Sequence, residues 1–269
     1  MCASSCSHDW APTGIFDGGD VMLPCRANGC RAALRVHKGA ARAVDPAFFS
    51  PEVDGITLDI EDDPRGGVAK IILHELRKSY GAGEIPFQPG DVVIDIGAHV
   101  GVVSVFLAKR YPGITVYAFE PWPDNHRRLV RNIVANGVGG SVRPFDLAVT
   151  SDGREIALGG NPEMNTGGIS GFCRSGSARA WVQSVTLAQV FEQFRIERCK
   201  LLKLDCEGAE HEIISGAGDL LDRVDYLSGE FHMNSSLAAA GWTIEGLSAL
   251  VEEHIGADRI RVTPCRIAE

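Results

Sequence analysis

Short apolar runs and apolar positions at helical spacing alternate along most of the chain. Between residues 91 and 122, an apolar run at 92–96 leads into a glycine-containing turn. Helical spacing from residue 102 and a β-rich run at 114–119 follow, so this stretch predicts a strand, a turn, a helix and a strand. Such an order is half of a nucleotide-binding βαβ unit. Further predicted strands lie at 141–150, 155–158, 199–205, 226–231 and 260–267.

Predicted helices lie between and beside these strands at 70–80, 123–136, 185–194, 209–214 and 243–255. This alternating order predicts an α/β fold with a doubly wound, mostly parallel sheet. Residues 1–67 instead carry scattered apolar positions, with a hairpin predicted at 21–37 and a strand at 56–60. We therefore divide the chain into an N-terminal extension or cap at 1–67 and a nucleotide-binding domain at 68–269.

One interior segment is too polar to predict as a packed element. Residues 159–176 are rich in Gly, Asn and Ser, a composition that is typical of a loop. We expect either a mobile loop near the substrate or a plain flexible linker, and the sequence favours neither.

The composition limits the classes of function. With 269 residues, 45% apolar and 23% charged, the chain resembles an ordinary globular protein. Its net charge of −9 argues against general binding to nucleic acid or anionic membranes, because phosphate contacts need a basic surface. No apolar run reaches the roughly 18 residues of a membrane span, and residues 1–20 lack the apolar core of a signal peptide. We expect a cytoplasmic protein without a nucleic-acid or membrane partner, and leave homo-oligomerisation open.

The chain contains eight cysteines, which raises the question of disulfides or zinc. Reduced thiols are the default for a protein without a secretion signal. Four cysteines and two histidines near the amino terminus have spacings close to a zinc pattern, but not equal to a familiar one. Free thiols are therefore favoured over a zinc site at Cys2, Cys6, His8, Cys25, Cys30 and His37.

The turn after the first strand of the βαβ unit indicates the ligand. Its pattern is Asp95-x-Gly97-x-x-x-Gly101, whereas a dinucleotide fingerprint has G-x-G-x-x-G. An acid in the turn repels a phosphate but holds a cation such as an amino group, and Glu120 can accept hydrogen bonds from ribose hydroxyls. A nucleoside with a zwitterionic tail fits both features, which predicts S-adenosyl-L-methionine. The predicted cofactor contacts are Asp95, Gly97, Ala98, His99, Gly101, Glu120, Pro121, Asp146 and Asp205.

Acids that end strands are the candidates for catalysis, because ligands lie at the carboxyl ends of parallel strands. Asp205 and Glu230 meet this test, and His232 shares a strand face with Glu230. Methyl transfer needs a positioned acceptor and removal of its proton, so we predict His232 as the base, oriented by Asp205 or Glu230. The alternative is that the same three residues hold a hard divalent cation such as Mg²⁺. Glu207 and Glu210 are interpreted as functional acids or helix caps.

Four blocks of the sequence resemble the FkbM family of S-adenosylmethionine-dependent methyltransferases. They are GDVVIDIGAHVG at 90–101, AFEP at 118–121, KLDCEGAE at 203–210 and EFH at 230–232. The family usually has Asn where this chain has His99. The resemblance implies a Rossmann-like class I methyltransferase fold with a seven-stranded sheet. It also implies O-methylation of a small-molecule acceptor, a sugar or secondary-metabolite hydroxyl.

Three other hypotheses remain open at this point. N-methylation of an aminosugar or amino-acid derivative is the runner-up, because an amine needs only deprotonation and positioning. A non-catalytic scaffold that binds S-adenosylmethionine is a different class, and the full set of strand-end acids argues against it. A nicotinamide-dependent dehydrogenase is disfavoured, because the third glycine of its fingerprint is missing.

Overall fold

The computed structural model describes residues 15–17, 20–24, 33–36, 48–62, 68–76, 80–81, 83–159 and 180–266. The proposed zinc ligands near the amino terminus lie outside these ranges. The same holds for the predicted loop at 159–176, apart from its first residue.

Six strands form the central sheet of the described residues. They are β1 (Val92–Ile96), β2 (Thr115–Phe119), β3 (Val142–Phe145), β4 (Cys199–Leu204), β5 (Val224–Met233) and β6 (Ile260–Arg266). Their order is β3-β2-β1-β4-β5-β6, and every neighbouring pair is parallel. The predicted α/β, doubly wound, parallel architecture is confirmed. The strand order reverses between β1 and β4, which is where such sheets bind ligands.

Helices cover both faces of this sheet. Successive side chains of β1 point to opposite faces of the sheet, so Val93 and Ile94 belong to different hydrophobic clusters. Val93 packs with residues of the first three helices along the chain, and Ile94 packs with residues of the fourth, fifth and seventh helices. Both strand residues are fully buried. The helices are α1 (Val68–Glu75), α2 (Val102–Arg110), α3 (Pro123–Ala135), α4 (Leu187–Gln193), α5 (Glu210–Ala217), α6 (Ser235–Ala239) and α7 (Ile244–Glu252).

Local signals explain where two of these helices begin. Helix α3 begins at Pro123, where a missing N–H costs nothing, and Asp124 lies in its first turn. Helix α4 begins two residues later than predicted, because Thr186 and Gln189 form a reciprocal capping box and leave Val185 in a short strand.

The prediction of seven sheet strands was wrong for the described residues, where the central sheet has six. The segment predicted as a strand at 155–158 is one, at Ile156–Leu158, but it pairs antiparallel with Ala180–Val182 in a separate two-stranded sheet. The physical reason is the short connection between Val149 and Ile156. A strand that runs parallel to the one before it needs a crossover of roughly a dozen residues or more, and this turn is too short to provide one.

Two strand boundaries also differ from the prediction. The run at 141–150 splits, because β3 ends at Phe145 while Ala148–Val149 pairs with Ser184–Val185. Strand β5 extends to Met233, beyond the predicted end at residue 231. Consequently Glu230 and His232 lie inside β5, paired with Thr263 and Cys265 of β6.

Part of the N-terminal segment shares the core of the sheet. Leu58 and Ile60 are fully buried in the hydrophobic cluster that also contains Val93. The Asn132 amide donates hydrogen bonds to the carbonyls of Glu61 (3.0 Å) and Val100 (2.8 Å). The predicted domain boundary after residue 67 stays a prediction. The N-terminal strands are Ile15–Asp17, Asp20–Pro24, Ala33–Val36, Phe48–Phe49, Glu52–Val53, Ile56–Thr57 and Ile60–Glu61.

The first three of these strands form an antiparallel sheet in the order of the chain. Asp20–Pro24 pairs with Ala33–Val36, so the hairpin predicted at 21–37 is confirmed. A third strand, Ile15–Asp17, was not predicted and pairs with Asp20–Pro24.

Candidate active site

The turn between β1 and α2 carries most of the predicted cofactor contacts. Gly97 (φ +76°), His99 (φ +52°) and Gly101 (φ +86°) all have left-handed backbone conformations. A Cβ atom on Gly97 would lie 1.7 Å from the carbonyl oxygen of Asp205, and one on Gly101 would lie 2.4 Å from Leu129 Cδ1. Glycine is therefore required here by the packing of the turn against β4 and α3, as well as by its backbone conformation.

Asp95 is fully buried and bonded within the protein. Ser104 Oγ donates to its Oδ2 (2.6 Å), and Lys203 Nζ lies 3.0 Å from its Oδ1. Lys203 also donates to the Gly97 carbonyl (2.6 Å), so it connects the acid to the turn. Burial opposes the charge of Lys203, but the carboxylates of Asp95 and Asp205 outweigh it and raise the lysine pKa. Asp95 thus shapes the turn, and its contact with a cofactor amino group stays a prediction.

Glu120 follows β2 and is held by the same turn. Its Oε2 accepts the His99 N–H (2.8 Å) and its Oε1 accepts the Trp122 N–H (2.9 Å). Burial raises the pKa of Glu120 to about 7, although both backbone donors act in the opposite direction. Burial also lowers the pKa of His99 to about 3, so its ring is neutral. The carboxylate is therefore positioned at the strand end, as predicted, while the Ala98 N–H donates to the Phe119 carbonyl (2.9 Å).

The remaining predicted cofactor contacts lie nearby on the ends of β2 and β3. Pro121 follows Glu120 and is partly buried, whereas Asp146 follows β3 and is exposed. Burial lowers the pKa of His126, and the charge of Asp146 acts against this shift. The Trp122 Nε1 and His126 Nε2 atoms are buried without a hydrogen-bond partner in the part of the chain that the structure describes. These polar atoms are available to a ligand beside the ends of the two strands.

A second group of side chains lies at the ends of β4 and β5. It comprises Asp205, Glu207, Glu230 and His232, which we call the carboxylate–histidine cluster. His232 Nε2 lies 3.5 Å from Glu230 Oε2 and 3.8 Å from Glu207 Oε2. Donor atoms of Asp205, Glu207 and His232 all lie within 4.8 Å of one another. The structure therefore brings together the three residues predicted for catalysis, together with Glu207.

Glu210 contacts the other ring nitrogen of His232, the one that does not face the cluster. Its fully buried carboxylate accepts the N–H groups of Cys206 (2.8 Å) and Gly208 (3.0 Å), and its Oε1 lies 3.0 Å from His232 Nδ1. Burial opposes ionisation of Glu210, but the bond to His232 and these backbone donors lower its pKa overall. Glu210 is therefore both the predicted cap of the turn and the group that orients His232.

The acids of the cluster lie close together and shift one another's pKa values. Burial raises the pKa of Glu207 to about 7, and the charges of Asp205, Glu210 and Glu230 add to this shift. Burial also raises the pKa of Asp205. Burial alone would lower the pKa of His232, but hydrogen bonds to Glu210 and Glu230 raise it to about 11. This environment favours a protonated ring, which bears on the predicted role of His232 as a base.

Several residues of the site were not predicted from the sequence. Tyr80 donates to Asp205 Oδ2 (2.8 Å) across 125 positions of the chain, and no local pattern indicates such a contact. Cys265 donates to Glu230 Oε2 (2.9 Å), because β6 is the parallel neighbour of β5. Glu75 near the end of α1 has its pKa raised by burial and by the charges of Glu230 and Asp205. Only strand pairing and helix packing bring these three residues to the site.

Comparison with known proteins identifies the family. The model of the methyltransferase FkbM domain matches residues 95–244, which is more than half of the chain and includes all of the carboxylate–histidine cluster. The chain belongs to the FkbM methyltransferase family. This family assignment confirms the resemblance seen in the sequence.

Individual relatives are distant. The 31-O-demethyl-FK506 methyltransferase FkbM of Streptomyces tacrolimicus is 26% identical over 57% of this chain and 70% of that protein. The hexuronic acid methyltransferase AglP of Haloferax volcanii is 25% identical over 54% of this chain and 57% of that protein. A crystal structure of a methyltransferase FkbM from Methylobacillus flagellatus KT is 14% identical, with a TM-score of 0.37 over 52% of this chain and 32% of that one.

Two further observations concern only the described residues. None of their helices has both the length and the apolar character needed to cross a membrane. Cys199, Cys206 and Cys265 are free thiols, which agrees with the expectation of reduced cysteines at these three positions.

Proposed function

We propose that this protein transfers a methyl group from S-adenosyl-L-methionine to a hydroxyl of a small molecule, a sugar or a secondary metabolite. The observation that carries the proposal is the position of Glu120. Its buried carboxylate is held by two backbone N–H groups beside a glycine turn, at the end of the strand next to β1. The carboxylate–histidine cluster lies on the other side of β1, at the ends of β4 and β5. A ribose anchor next to a group of acids and a histidine suits methyl transfer.

The residues of the glycine turn fit this cofactor. Glu120 accepts two backbone N–H groups and a hydrogen bond from the Asn125 side chain, and its carboxylate retains acceptor capacity for the ribose. The buried polar atoms Trp122 Nε1 and His126 Nε2 are available on the side of the nucleobase, where Asp146 was predicted to contact the adenine amino group. We propose that the other contacts come from Asp95, Gly97, Ala98, His99, Gly101, Pro121 and Asp205, as predicted from the sequence.

The cluster is proposed to act on the acceptor. When bound, S-adenosylmethionine supplies a methyl group activated by its sulfonium. The acceptor hydroxyl loses its proton, and its oxygen forms the new O–C bond while the C–S electron pair remains on sulfur, which becomes a neutral thioether. A side chain of the cluster positions this hydroxyl. His232 remains the predicted base that takes the acceptor proton. Asp205 or Glu230 was predicted to orient it, whereas the contact with its Nδ1 comes from Glu210. However, a protonated ring cannot accept a proton, so this role needs the experiment described below.

The acceptor class follows from the relatives and from charge. The names of two relatives specify a demethyl-FK506 compound and a hexuronic acid as their substrates. We extend this to a hydroxylated small molecule here, because the net charge of −9 disfavours a nucleic-acid acceptor. An amine acceptor is the second candidate, since a carboxylate-rich site attracts a cationic amine. A mass increase of one methyl group on a hydroxyl or an amine acceptor would distinguish the two.

Calorimetric titration with S-adenosylmethionine and S-adenosylhomocysteine tests the proposal. We expect micromolar binding of both, followed by transfer of an isotopically labelled methyl group to a hydroxylated acceptor. Binding without transfer across a panel of hydroxyl and amine acceptors would favour a scaffold protein. Absence of binding would reject the cofactor assignment. The same titration with a nicotinamide cofactor is the control for a dehydrogenase.

A further inference from the structure

The cluster at the ends of β4 and β5 has the arrangement of a metal site built around one imidazole. His232 is 4% exposed and points its Nε2 atom toward Glu207 and Glu230. The 3.8 Å distance to Glu207 is beyond hydrogen-bond range, and the 3.5 Å contact with Glu230 is a long hydrogen bond, outside the 2.7–3.2 Å of a good one. Two ligands about 2.1 Å from a tetrahedral ion lie about 3.4 Å apart. The separations around Nε2 are therefore those of ligand atoms around a shared ion.

The hydrogen bonds of Glu210 determine which histidine nitrogen faces the cluster with a lone pair. Glu210 accepts the N–H groups of Cys206 and Gly208, so it is a carboxylate with no proton to donate. Metal binding requires the protonated ring to release one proton. The proton that stays lies on Nδ1, 3.0 Å from Glu210 Oε1. This leaves the Nε2 lone pair directed toward the other acids. A carboxylate behind a histidine is the usual outer partner of a metal-binding imidazole.

From this geometry we propose that the carboxylate–histidine cluster binds one divalent first-row transition ion, such as Mn²⁺, Co²⁺ or Zn²⁺, through His232 Nε2 and the carboxylates of Asp205 and Glu207, whose ligand atoms all lie within 4.8 Å of one another, with Glu230 beside the same nitrogen. Glu210 orients the histidine and does not contact the ion. Cys265 donates to Glu230 Oε2 and holds that carboxylate from β6.

The imidazole decides the class of ion. Mg²⁺ and Ca²⁺ prefer oxygen ligands, and Mg²⁺ gives up its water reluctantly. An imidazole combined with carboxylates suits Mn²⁺ through Zn²⁺ better. The sequence left open a hard divalent cation such as Mg²⁺ at Asp205, Glu230 and His232, whereas the central position of His232 Nε2 favours a transition ion. Glu207, whose backbone has a left-handed conformation (φ +54°), was outside the predicted metal set and enters it through the shape of the turn.

The function of the ion rests on the proposed methyl transfer. A Lewis acid at this position would bind the acceptor oxygen and lower the pKa of its hydroxyl, whose proton then passes to water. This differs from general-base catalysis by His232, because the lone pair of Nε2 is used to bind the ion. His232 Nε2 can use its lone pair to accept a proton or to bind the ion, but not both at once, so a test of metal binding distinguishes the two mechanisms.

Titration of the chelator-treated full chain with Co²⁺ tests the proposal without any turnover. We expect visible d–d absorption bands that saturate at one ion per chain and persist in about a hundredfold excess of Mg²⁺. His232→Ala should abolish the bands, and Glu207→Gln should weaken binding. Glu210→Gln should weaken it about 10- to 100-fold, since an outer partner is lost. His254→Ala is the matched control, because His254 pairs with Asp222 at the surface and should bind Co²⁺ like the parent chain.

Two results would overturn the proposal: no saturable Co²⁺ spectrum, or equal affinity in His232→Ala and in His254→Ala. Displacement of Co²⁺ by an equal concentration of Mg²⁺ would overturn the choice of ion. S-adenosylhomocysteine binding, measured on the same metal-free samples, shows that each variant is folded. Loss of Co²⁺ binding with intact S-adenosylhomocysteine binding refutes only the metal site. Loss of S-adenosylhomocysteine binding in the parent chain instead refutes the proposed function.

Discussion

The acids of the glycine-turn region and those of the carboxylate–histidine cluster differ in the protein groups that compensate their charge. Asp95, near the end of β1, accepts from Ser104 and forms an ion pair with Lys203, and Glu120, after β2, accepts two backbone N–H groups. In the carboxylate–histidine cluster, Asp205, Glu207 and Glu230 face one histidine, one lysine and the hydroxyl of Tyr80. In the first region Lys203 compensates the buried charge of Asp95, whereas the backbone donors of Glu120 do not fully offset its burial, which raises its pKa to about 7. The second accumulates negative charge, which a ligand, a proton or an ion must offset.

The largest expected loss of stability comes from a substitution where the glycine turn contacts the residue that follows β4. Gly97→Ala places a Cβ atom 1.7 Å from the carbonyl oxygen of Asp205 and so pushes the glycine turn away from β4. We expect a loss of more than about 4 kcal/mol in the free energy of unfolding, or no folded protein. Gly137→Ala is the matched control: it has a similar positive φ (+69°) but no atom within 4 Å of the added Cβ. Its expected cost is about 1 kcal/mol. Equal costs in chemical denaturation would refute the packing argument.

Removal of the lysine that compensates Asp95 comes next. Lys203→Met leaves a fully buried carboxylate without its cation, which costs about 3–5 kcal/mol. Lys200→Met, on the same strand, removes a partly exposed partner of Asp225 and should cost less than about 1 kcal/mol. Urea denaturation of both variants measures the difference. A small loss for Lys203→Met would mean that Asp95 does not depend on this ion pair.

Glu120→Gln tests the proposed contact between Glu120 and the ribose of the cofactor. The amide removes the charge that would accept two hydroxyl donors, so S-adenosylhomocysteine affinity should fall about 10- to 100-fold. Asp124→Asn, an exposed acid in the first turn of α3, is the control and should leave affinity within about twofold. Calorimetry gives both values. Unchanged affinity in Glu120→Gln would remove Glu120 from the cofactor site.

The smallest effect is a dependence of cofactor affinity on pH. The pKa of Glu120 is raised to about 7 by burial, so the carboxyl becomes protonated as pH falls through neutrality. Its contribution to folding stability has the opposite sense: it is present below the unfolded pKa and is lost as pH rises toward 7. Because ribose hydroxyls require the carboxylate, S-adenosylhomocysteine affinity should fall about tenfold from pH 8 to pH 6. The slope should vanish in Glu120→Gln, and a persistent slope would assign it to another group.

The glycine turn and Glu120 were more predictable than the carboxylate–histidine cluster, for a local reason. The glycine turn and Glu120 lie within one βαβ unit, where sequence spacing determines which side chains follow a strand. The cluster depends on contacts between separate elements. Cys265 approaches Glu230 only because β6 pairs with β5, and Tyr80 reaches Asp205 from the region that follows α1. No spacing in the sequence specifies these neighbours.

The sequence by itself determined the α/β order, the turn at residues 95–101, and the positions of Glu120 and Asp205 directly after strands, because these depend on periodicity and short-range geometry. Tertiary structure decided the number of sheet strands, since pairing of Ile156–Leu158 outside the central sheet cannot be inferred from its alternation. It also decided that Asp95 is buried against Lys203 and that Glu210 supports His232. Burial and charge compensation depend on every element packed around a group, so they arise only when the whole chain is folded.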